Sequence, residues 1–296
     1  MSLIYLTGSS GFVGRSFLEY FGIEKTTQHK KGDEFKLVSE SILIHLAGKA
    51  HDIKKISHPQ EYYEVNTELT KKVYDSFLAS EAKVFITLSS VKAVADHLDG
   101  ELTEELIPHP VTHYGKSKLL AEQYIFSKPV PEGKRVYILR PCMIHGTGNK
   151  GNLNLLYKLA SKQLPWPLAV FENQRSFCSI DNLCFIIKEL IEREEILSGI
   201  YNVADDEPAS TNELIQWMAE AQGKKPLLLA IPKGLINTLA KIGDKLKLPL
   251  NSERLQKLTE TYLVSNKKLK QALAKPLPLT AKEGFMKTFR SFNQAQ

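Results

Sequence analysis

The sequence predicts an α/β protein: a doubly wound parallel sheet with a smaller, mainly C-terminal domain attached. Three observations predict it. Short apolar runs alternate with helical spacing across residues 1–141. The first run ends in a glycine-rich turn, Thr7-Gly8-Ser9-Ser10-Gly11-Phe12-Val13-Gly14, and a helix follows at once. Beyond Pro141 the alternation loosens into glycine-rich loops, short helices and a lysine–leucine tail.

Leu3-Ile4-Tyr5-Leu6 reads as a short buried strand, and residues 15–21 as a helix with Phe17, Leu18 and Phe21 on one face. Strand, glycine turn and helix start together make an anion cradle. Glycines let the backbone approach a pyrophosphate, and the helix N-terminus offers unpaired N–H groups and a positive dipole end. A plain tight turn is the alternative. Residues 25–36 are polar and basic and hold the second strand, whose end meets the adenosine ribose in a dinucleotide fold. An acidic residue there favours NAD and a basic one NADP. His29-Lys30-Lys31 precede Asp33-Glu34, so both cofactors stay open, with a slight lean to NADP; a solvated basic loop is the other reading. The stretch is also short for a full strand–helix–strand unit.

Ile42-Leu43-Ile44-His45-Leu46-Ala47-Gly48 is the next strand and its exit turn, where small residues let a ligand cross. His45 reads as a satisfied histidine near the core rather than a ligand. Tyr62, Val65, Leu69, Val73 and Phe77 recur at helical spacing, with Asn66 among them, bonded to the neighbouring strand or facing water. Residues 83–90 form a strand ending in Ser89 and Ser90. Residues 113–126 form a helix and 135–141 another strand. Further on, a helix over 154–163 stops at Pro165-Trp166-Pro167. A short strand from Arg175 leads into a helix capped by Asp181, residues 200–203 form a strand, and Ser210 or Thr211 caps a helix with Glu213 in its first turn. Residues 235–248 mix leucines with lysines. That pattern suits an amphipathic lid or flank of a small domain better than a membrane-surface helix. The predicted division is 1–141 with 177–203 as a dinucleotide-binding domain, and 142–176 with 204–296 as a substrate domain.

Composition narrows the function. The chain has 296 residues, 43% hydrophobic and 24% charged, enough for a sizeable core. Its net charge of +6 suits a phosphorylated ligand, and also nucleic acid or an acidic membrane surface. The lysines are scattered without aromatic interleaving, which speaks against nucleic acid. Cys142, Cys178 and Cys184 show no CxxC and no metal spacing, and their odd number fits a reducing compartment. Strand-like sequence opens the chain with no signal peptide before it, and no apolar run reaches the ~20 residues of a membrane span. The expectation is a cytoplasmic protein without an integral membrane segment or metal. A homodimer is compatible with the sequence.

Tyr114 and Lys118 stand four apart, on one face of the 113–126 helix. A phenol with a pKa near 10 is a poor base at neutral pH. A neighbouring ammonium, and further an oxidised nicotinamide, would lower that value. Such a tyrosine passes a proton to or from a sugar hydroxyl while hydride moves to or from the cofactor, and a serine at a strand end holds the same oxygen. The pattern occurs again at Tyr124 and Lys128, further along the helix, so at least one copy is accidental. HExxH and GxSxG are absent, and Pro110 separates His109 from His113.

In order along the chain, Thr7 to Gly14 as TGxxGxxG, His45-Leu46-Ala47-Gly48, Ser89-Ser90, Tyr114-x-x-x-Lys118 and Arg140-Pro141 resemble the extended short-chain dehydrogenase/reductase family. The resemblance is to its nucleotide-sugar epimerase/dehydratase branch and covers nearly the whole chain. It implies a Rossmann domain that binds NAD or NADP through Gly8, Ser10, Gly11, Phe12, Val13, Gly14, Leu46, Ala47, Gly48, Asn66, Ser89, Tyr114 and Lys118. It implies Tyr114, Lys118 and Ser90 as catalytic residues, with Lys118 also on the nicotinamide ribose and Asn66 as a structural asparagine. Arg175 resembles the arginine that pairs with the substrate's diphosphate. Ser89-Ser90-Val91-Lys92, Asn149-Lys150-Gly151-Asn152 and Gln174-Arg175-Ser176-Phe177 look like bacterial surface-polysaccharide enzymes that act at C4 of UDP-N-acetyl sugars. The implied substrate is a UDP-sugar or other nucleotide-sugar, held by Ser90, Tyr114, Asn152 and Arg175 and clamped between the two domains. Epimerase and 4-keto reductase share this machinery. A dinucleotide sensor on the same fold would ordinarily have lost the Tyr/Lys pair. Val94-Ala95 stands where many relatives have Tyr-Gly or Asn-Gly, which leaves the sugar open.

Overall fold

Parallel strands need a crossover long enough for a helix, and the alternating strands and helices of the main sheet pair in parallel. The computed structural model describes residues 3–23, 27–28, 40–49, 58–149, 152–246 and 251–294. Along the chain run β1 (Ile4–Thr7), α1 (Phe12–Phe21), β2 (Thr27–Gln28), β3 (Ile42–His45), α2 (Pro59–Tyr62), a π-helical segment (Tyr63–Glu68), α3 (Leu69–Leu78), β4 (Val84–Leu88), β5 (Glu101–Leu102), α4 (His113–Phe126) and β6 (Arg135–Pro141). Then come β7 (Met143–His145), α5 (Asn152–Ser161), β8 (Phe177–Ser179), α6 (Ile180–Glu192), β9 (Gly199–Val203), α7 (Thr211–Glu220), α8 (Lys233–Leu246), α9 (Ser252–Thr259), α10 (Lys267–Leu273) and α11 (Ala281–Gln294). The chain folds into two units. The first takes residues 1–142, 180–204 and 264–278, and the second takes 143–179, 205–263 and 279–296.

The first unit carries a parallel sheet in the order β2-β1-β3-β4-β6-β9. Tyr5, Leu43, Phe85, Val136 and Ile138 point to one face and meet Val73, Tyr74 and Phe77 of α3 and Ile125 of α4. Leu6, Ile44 and Ile86 alternate to the other face and are also buried. The strands are therefore covered on both faces, as a parallel sheet requires. The strand order reverses between β1 and β3, so the crevice beyond their carboxyl ends is the topological switch point where such folds bind ligands. Thr27–Gln28 extends the sheet beside β1. His29, Lys30, Lys31, Asp33 and Glu34, on which the lean to NADP rested, lie outside the described residues.

Residues 264–278, which the sequence reading leaves with the C-terminal domain, pack with the first unit. Ser265 N donates to Leu102 O at 2.8 Å, Asn266 Nδ2 to Ala204 O at 3.0 Å and Lys268 Nζ to Ile200 O at 2.8 Å. Backbone carbonyls hold this return together with Leu269 and Leu273, buried one turn apart on α10.

The second unit has its own core, with Leu153, Tyr157, Trp166, Phe177, Leu214, Met218, Phe285 and Phe289 among its members. β7 pairs with β8 in parallel. Ser210 caps α7 with a reciprocal Ser210–Glu213 box. Asp181 lies inside the first turn of α6, which starts at Ile180, so it is not the cap expected from sequence. Among the described residues no helix is long and apolar enough to cross a membrane, and no group of histidine, cysteine, aspartate or glutamate side chains could hold a metal ion.

Candidate active site

The glycine turn closes on the exit of β3. Gly8 has φ +75°, and a Cβ there would lie 2.5 Å from Ala47 N and 2.6 Å from Leu46 C. A Cβ on Gly14 would lie 2.2 Å from Gly8 O. Any side chain at either position would force β1's turn away from β3 or away from α1. Gly11 N donates to Gly8 O at 3.0 Å, and Gly11 begins α1 with no side-chain cap. Among the described residues no side chain caps the first-turn amides of Phe12 and Val13 at the carboxyl ends of the strands, the arrangement that holds a phosphate. Arg15 folds back onto Ser10 O and steadies the turn.

His45 is a core residue. Its Nδ1 lies 2.7 Å from Thr7 Oγ1 and its Nε2 3.0 Å from Thr70 Oγ1. Burial, helped by the charge of Lys118, lowers its pKa to about 3. It is a neutral tie between β1, β3 and α3. Thr7 Oγ1 also accepts from Ala47 N, which fixes the small-residue exit turn.

Asn66 sits in the π-helical segment. The extra residue per turn lets Asn66 and Thr67 both turn inward, at 0% and 2% exposure. Asn66 Oδ1 accepts from Lys49 N at 2.8 Å, and its Nδ2 donates to Lys49 O and to Ser117 Oγ. Thr67 Oγ1 donates to Ser117 O. Asn66 thus ties the loop after β3 to α4. A Cβ on Gly48 would stand 3.2 Å from both Asn66 Oδ1 and Lys118 Nζ.

Thr112 caps α4 by accepting from Gly115 N, and this places Tyr114 in the first turn. Tyr114 is hydrogen-bonded to Ser90, at the start of the loop after β4. Lys118, one turn on and buried, donates to Leu88 O at 2.8 Å. Its pKa falls to about 8, because burial disfavours the ammonium while the charge of Glu122 favours it. The Tyr114 pKa rises. Burial is the largest cause, and the Ser90 hydrogen bond pulls the other way. The sequence reading expects the lysine to bring the phenol down. In the fold, burial raises the phenol instead, and Tyr62 adds to the rise.

Ser89, also buried, has no hydrogen-bond partner for its Oγ among the described residues. An unpartnered hydroxyl, an open helix N-terminus and a glycine turn at the switch point fit a dinucleotide. The phosphates would lie on Gly11, Phe12 and Val13, and the nicotinamide end toward Ser89, Tyr114 and Lys118. The second Tyr-x-x-x-Lys pair does other work: Tyr124 donates its hydroxyl to the Asp75 carboxylate, and Lys128 lies over the Tyr124 ring. Arg175 and Asn152 belong to the second unit. Arg175 Nη1 donates to Lys257 O at 2.7 Å. Asn152 heads α5, and its side chain lies outside the described residues.

Sequence reasoning missed three sets of contacts around the site. Tyr62 meets the Tyr114 ring edge-on at 6.2 Å. Lys49 pairs with Glu61 and lies 5.9 Å from the Tyr62 ring centre. Glu122 and Arg140 form a buried pair, with Nε to Oε1 at 2.9 Å. In the sequence Tyr62 and Arg140 stand only as an apolar helix position and part of Arg140-Pro141, and Glu122 carries the signal of lying four residues after Lys118 on the same helix face.

Known proteins resemble the chain over nearly its whole length. The chain is 29% identical to a UDP-glucose 4-epimerase of Vibrio cholerae, over 99% of this chain and 96% of that one. It is 27% identical to an N-acetyl-alpha-D-glucosaminyl-diphospho-ditrans,octacis-undecaprenol 4-epimerase of Escherichia coli O157:H7, over 87% and 86%. The structure of RMD from Pseudomonas aeruginosa complexed with NADPH superposes over 100% of both chains with a TM-score of 0.74 at 20% identity, a likeness of fold. A family model matches residues 4–204, and the chain belongs to the NAD dependent epimerase/dehydratase family.

Proposed function

We propose that the protein is an NAD(P)-dependent enzyme that transfers hydride at C4 of a nucleotide-sugar, a UDP-hexose or UDP-N-acetylhexosamine. It would work as a 4-epimerase or a 4-keto reductase in surface polysaccharide synthesis. One observation carries the reading: Tyr114 shares a hydrogen bond with Ser90 beside Lys118, and Ser89 next to it has a hydroxyl without a partner among the described residues. A bound nicotinamide dinucleotide supplies the hydride acceptor and donor.

The chain's own residues handle the proton and the orientation. Ser90 holds the sugar O4 by hydrogen bond. Tyr114 takes the O4 proton as C4 becomes a carbonyl, and returns it when the carbonyl is reduced. Lys118 keeps a positive charge beside that proton transfer. Asn66 and Gly48 hold the loop after β3 close to it. Arg175 and Asn152 are assigned to the sugar nucleotide, the guanidinium to its diphosphate. Rate enhancement then rests on orientation.

The Vibrio relative's name gives a UDP-linked sugar, and the Escherichia relative's name a sugar on a polyprenyl diphosphate. Both carriers present a diphosphate on the anomeric carbon, so both belong in the assay. Mass spectrometry of small molecules that co-purify with the protein should find NAD or NADP and a sugar nucleotide. Interconversion of UDP-GlcNAc and UDP-GalNAc without net redox would assign the epimerase. Consumption of NAD(P)H with a 4-keto-sugar nucleotide would assign the reductase. No turnover with either carrier, from protein that holds dinucleotide, would overturn the proposal.

A further inference from the structure

α8 carries two apolar stripes where one suffices to seat it. Ile236, Ala240 and Gly243 are buried, and Ile236 and Ala240 join the core of the second unit. Leu235, Leu239, Ile242 and Leu246 follow the spacing of a second stripe beside the first, and they are 53%, 45%, 44% and 65% exposed. A single exposed leucine needs no explanation, but four in register along a whole helix do. The sequence reading of residues 235–248 as a lid or flank accounts for the buried stripe and leaves the other unused.

The charges beside the exposed stripe have one sign. Lys241 and Lys245 lie along its edge away from the core, both exposed, and Lys233 stands at the helix start. The one carboxylate of the helix, Asp244, is engaged within the fold, accepting from Ser252 N at 2.9 Å and Ser252 Oγ at 2.6 Å. Long lysine stems beside leucines can lie along an apolar surface and lift their ammonium groups to phosphate level.

We propose that this face of α8 docks on an anionic phospholipid surface. The leucines and Ile242 enter the boundary between headgroups and acyl chains, and Lys241 and Lys245 meet the headgroup phosphates. Charge decides between this and pairing with a second copy. A two-fold contact through the same face would bring like-charged lysine edges together, in a chain whose net charge is +6. An anionic surface answers both the apolar stripe and its edge. The docking holds equally whether the sugar carrier is UDP or a polyprenyl diphosphate.

Flotation of the full-length protein with vesicles tests it. The protein should float with phosphatidylglycerol–phosphatidylethanolamine vesicles, less so in high salt, and not with phosphatidylcholine vesicles. The Leu239→Glu/Leu246→Glu variant should lose binding at least ~10-fold, since two apolar anchors leave the interface. Lys241→Gln/Lys245→Gln should lose about fivefold per lysine and most of the salt dependence. Both variants should keep wild-type melting curves and wild-type turnover of a water-soluble substrate. Wild-type protein that stays with the soluble fraction beside anionic vesicles would overturn the proposal. So would variants that float as wild type does. A wild-type dimer that dissociates in Leu239→Glu/Leu246→Glu, seen by light scattering, would assign the face to a second copy instead.

Discussion

Lys118 donates its ammonium to the Leu88 carbonyl at 2.8 Å, and so pins α4 to the last residue of β4. This bond explains why the hydroxyls that follow β4 and the phenol that opens α4 come together. Ser89 and Ser90 leave the strand next to Leu88, and Tyr114 precedes Lys118 by one helical turn. Burial drives the lysine toward neutrality at the sheet edge, and the charge of Glu122 opposes it.

Tyr114→Phe keeps the ring against Tyr62 and removes only the hydroxyl. It should lower kcat at least ~100-fold, the lower end for a lost general acid/base. Dinucleotide affinity, read by fluorescence titration, should stay near wild type because the glycine turn is untouched. A loss under tenfold would remove Tyr114 from the proton transfer.

Two glycines separate turn geometry from close approach. Gly22 ends α1 at φ +61° with nothing near its missing Cβ. Gly22→Ala should cost about 1–2 kcal/mol for the left-handed backbone and leave dinucleotide binding intact. Gly14→Ala puts a Cβ 2.2 Å from Gly8 O, a backbone atom with no room to yield. It should cost about 1–3 kcal/mol or more and abolish dinucleotide binding. Urea melts and titrations on both variants give the comparison.

That contrast marks what a sequence displays. The glycine turn is legible because its spacing marks a local turn and helix start, although Gly8 also answers to the exit of β3, and Tyr114/Lys118 because four residues make one turn. Partners set by the tertiary fold are not. Asn66 could have met a strand or water, and it meets Lys49 and Ser117 because a π-helical turn swings it inward. The direction of the Tyr114 pKa depends on how much water the fold removes, which spacing does not encode. The return of residues 264–278 to the first unit rests on bonds to backbone carbonyls and on only two buried leucines, Leu269 and Leu273, too short a pattern to name the unit they join.

His45 makes the fold sensitive to acid. Its ordinary value of 6.5 is lowered to about 3 in the fold. Between those values the unfolded chain binds a proton that the folded chain refuses, so stability falls as pH falls through that window and levels off below about 3. The effect is at most roughly 4–5 kcal/mol, from about 1.4 kcal/mol per unit. His45→Gln should be less stable than wild type near neutrality, because the Thr7 and Thr70 bonds are disturbed, yet lose less between about pH 7 and about pH 4. Urea melts at the two pH values decide it. Equal losses in the two proteins would place the acid sensitivity elsewhere.

Arg140 and Glu122 are each 3% exposed as side chains and share two hydrogen bonds, with Nη2 to Oε2 at 2.5 Å. Arg140 Nη1 has no hydrogen-bond partner among the described residues, so the carboxylate is the main compensation for a buried charge. Glu122→Gln should therefore cost about 3–5 kcal/mol. Glu122→Met/Arg140→Met removes both charges and should recover most of that loss, because replacing a buried pair by apolar groups is often neutral or better. The function should not recover with it. The charge of Glu122 raises the Lys118 pKa against burial, so without that charge Lys118 gives up its proton at lower pH. Activity that needs the ammonium falls as pH rises through the lysine's pKa, about 8 in the unmodified protein. In both variants this alkaline limb should move to lower pH, while only the single variant melts early. A double variant as unstable as Glu122→Gln would show that shape, not charge, sets the cost. An unmoved limb would show that Glu122 does not govern Lys118.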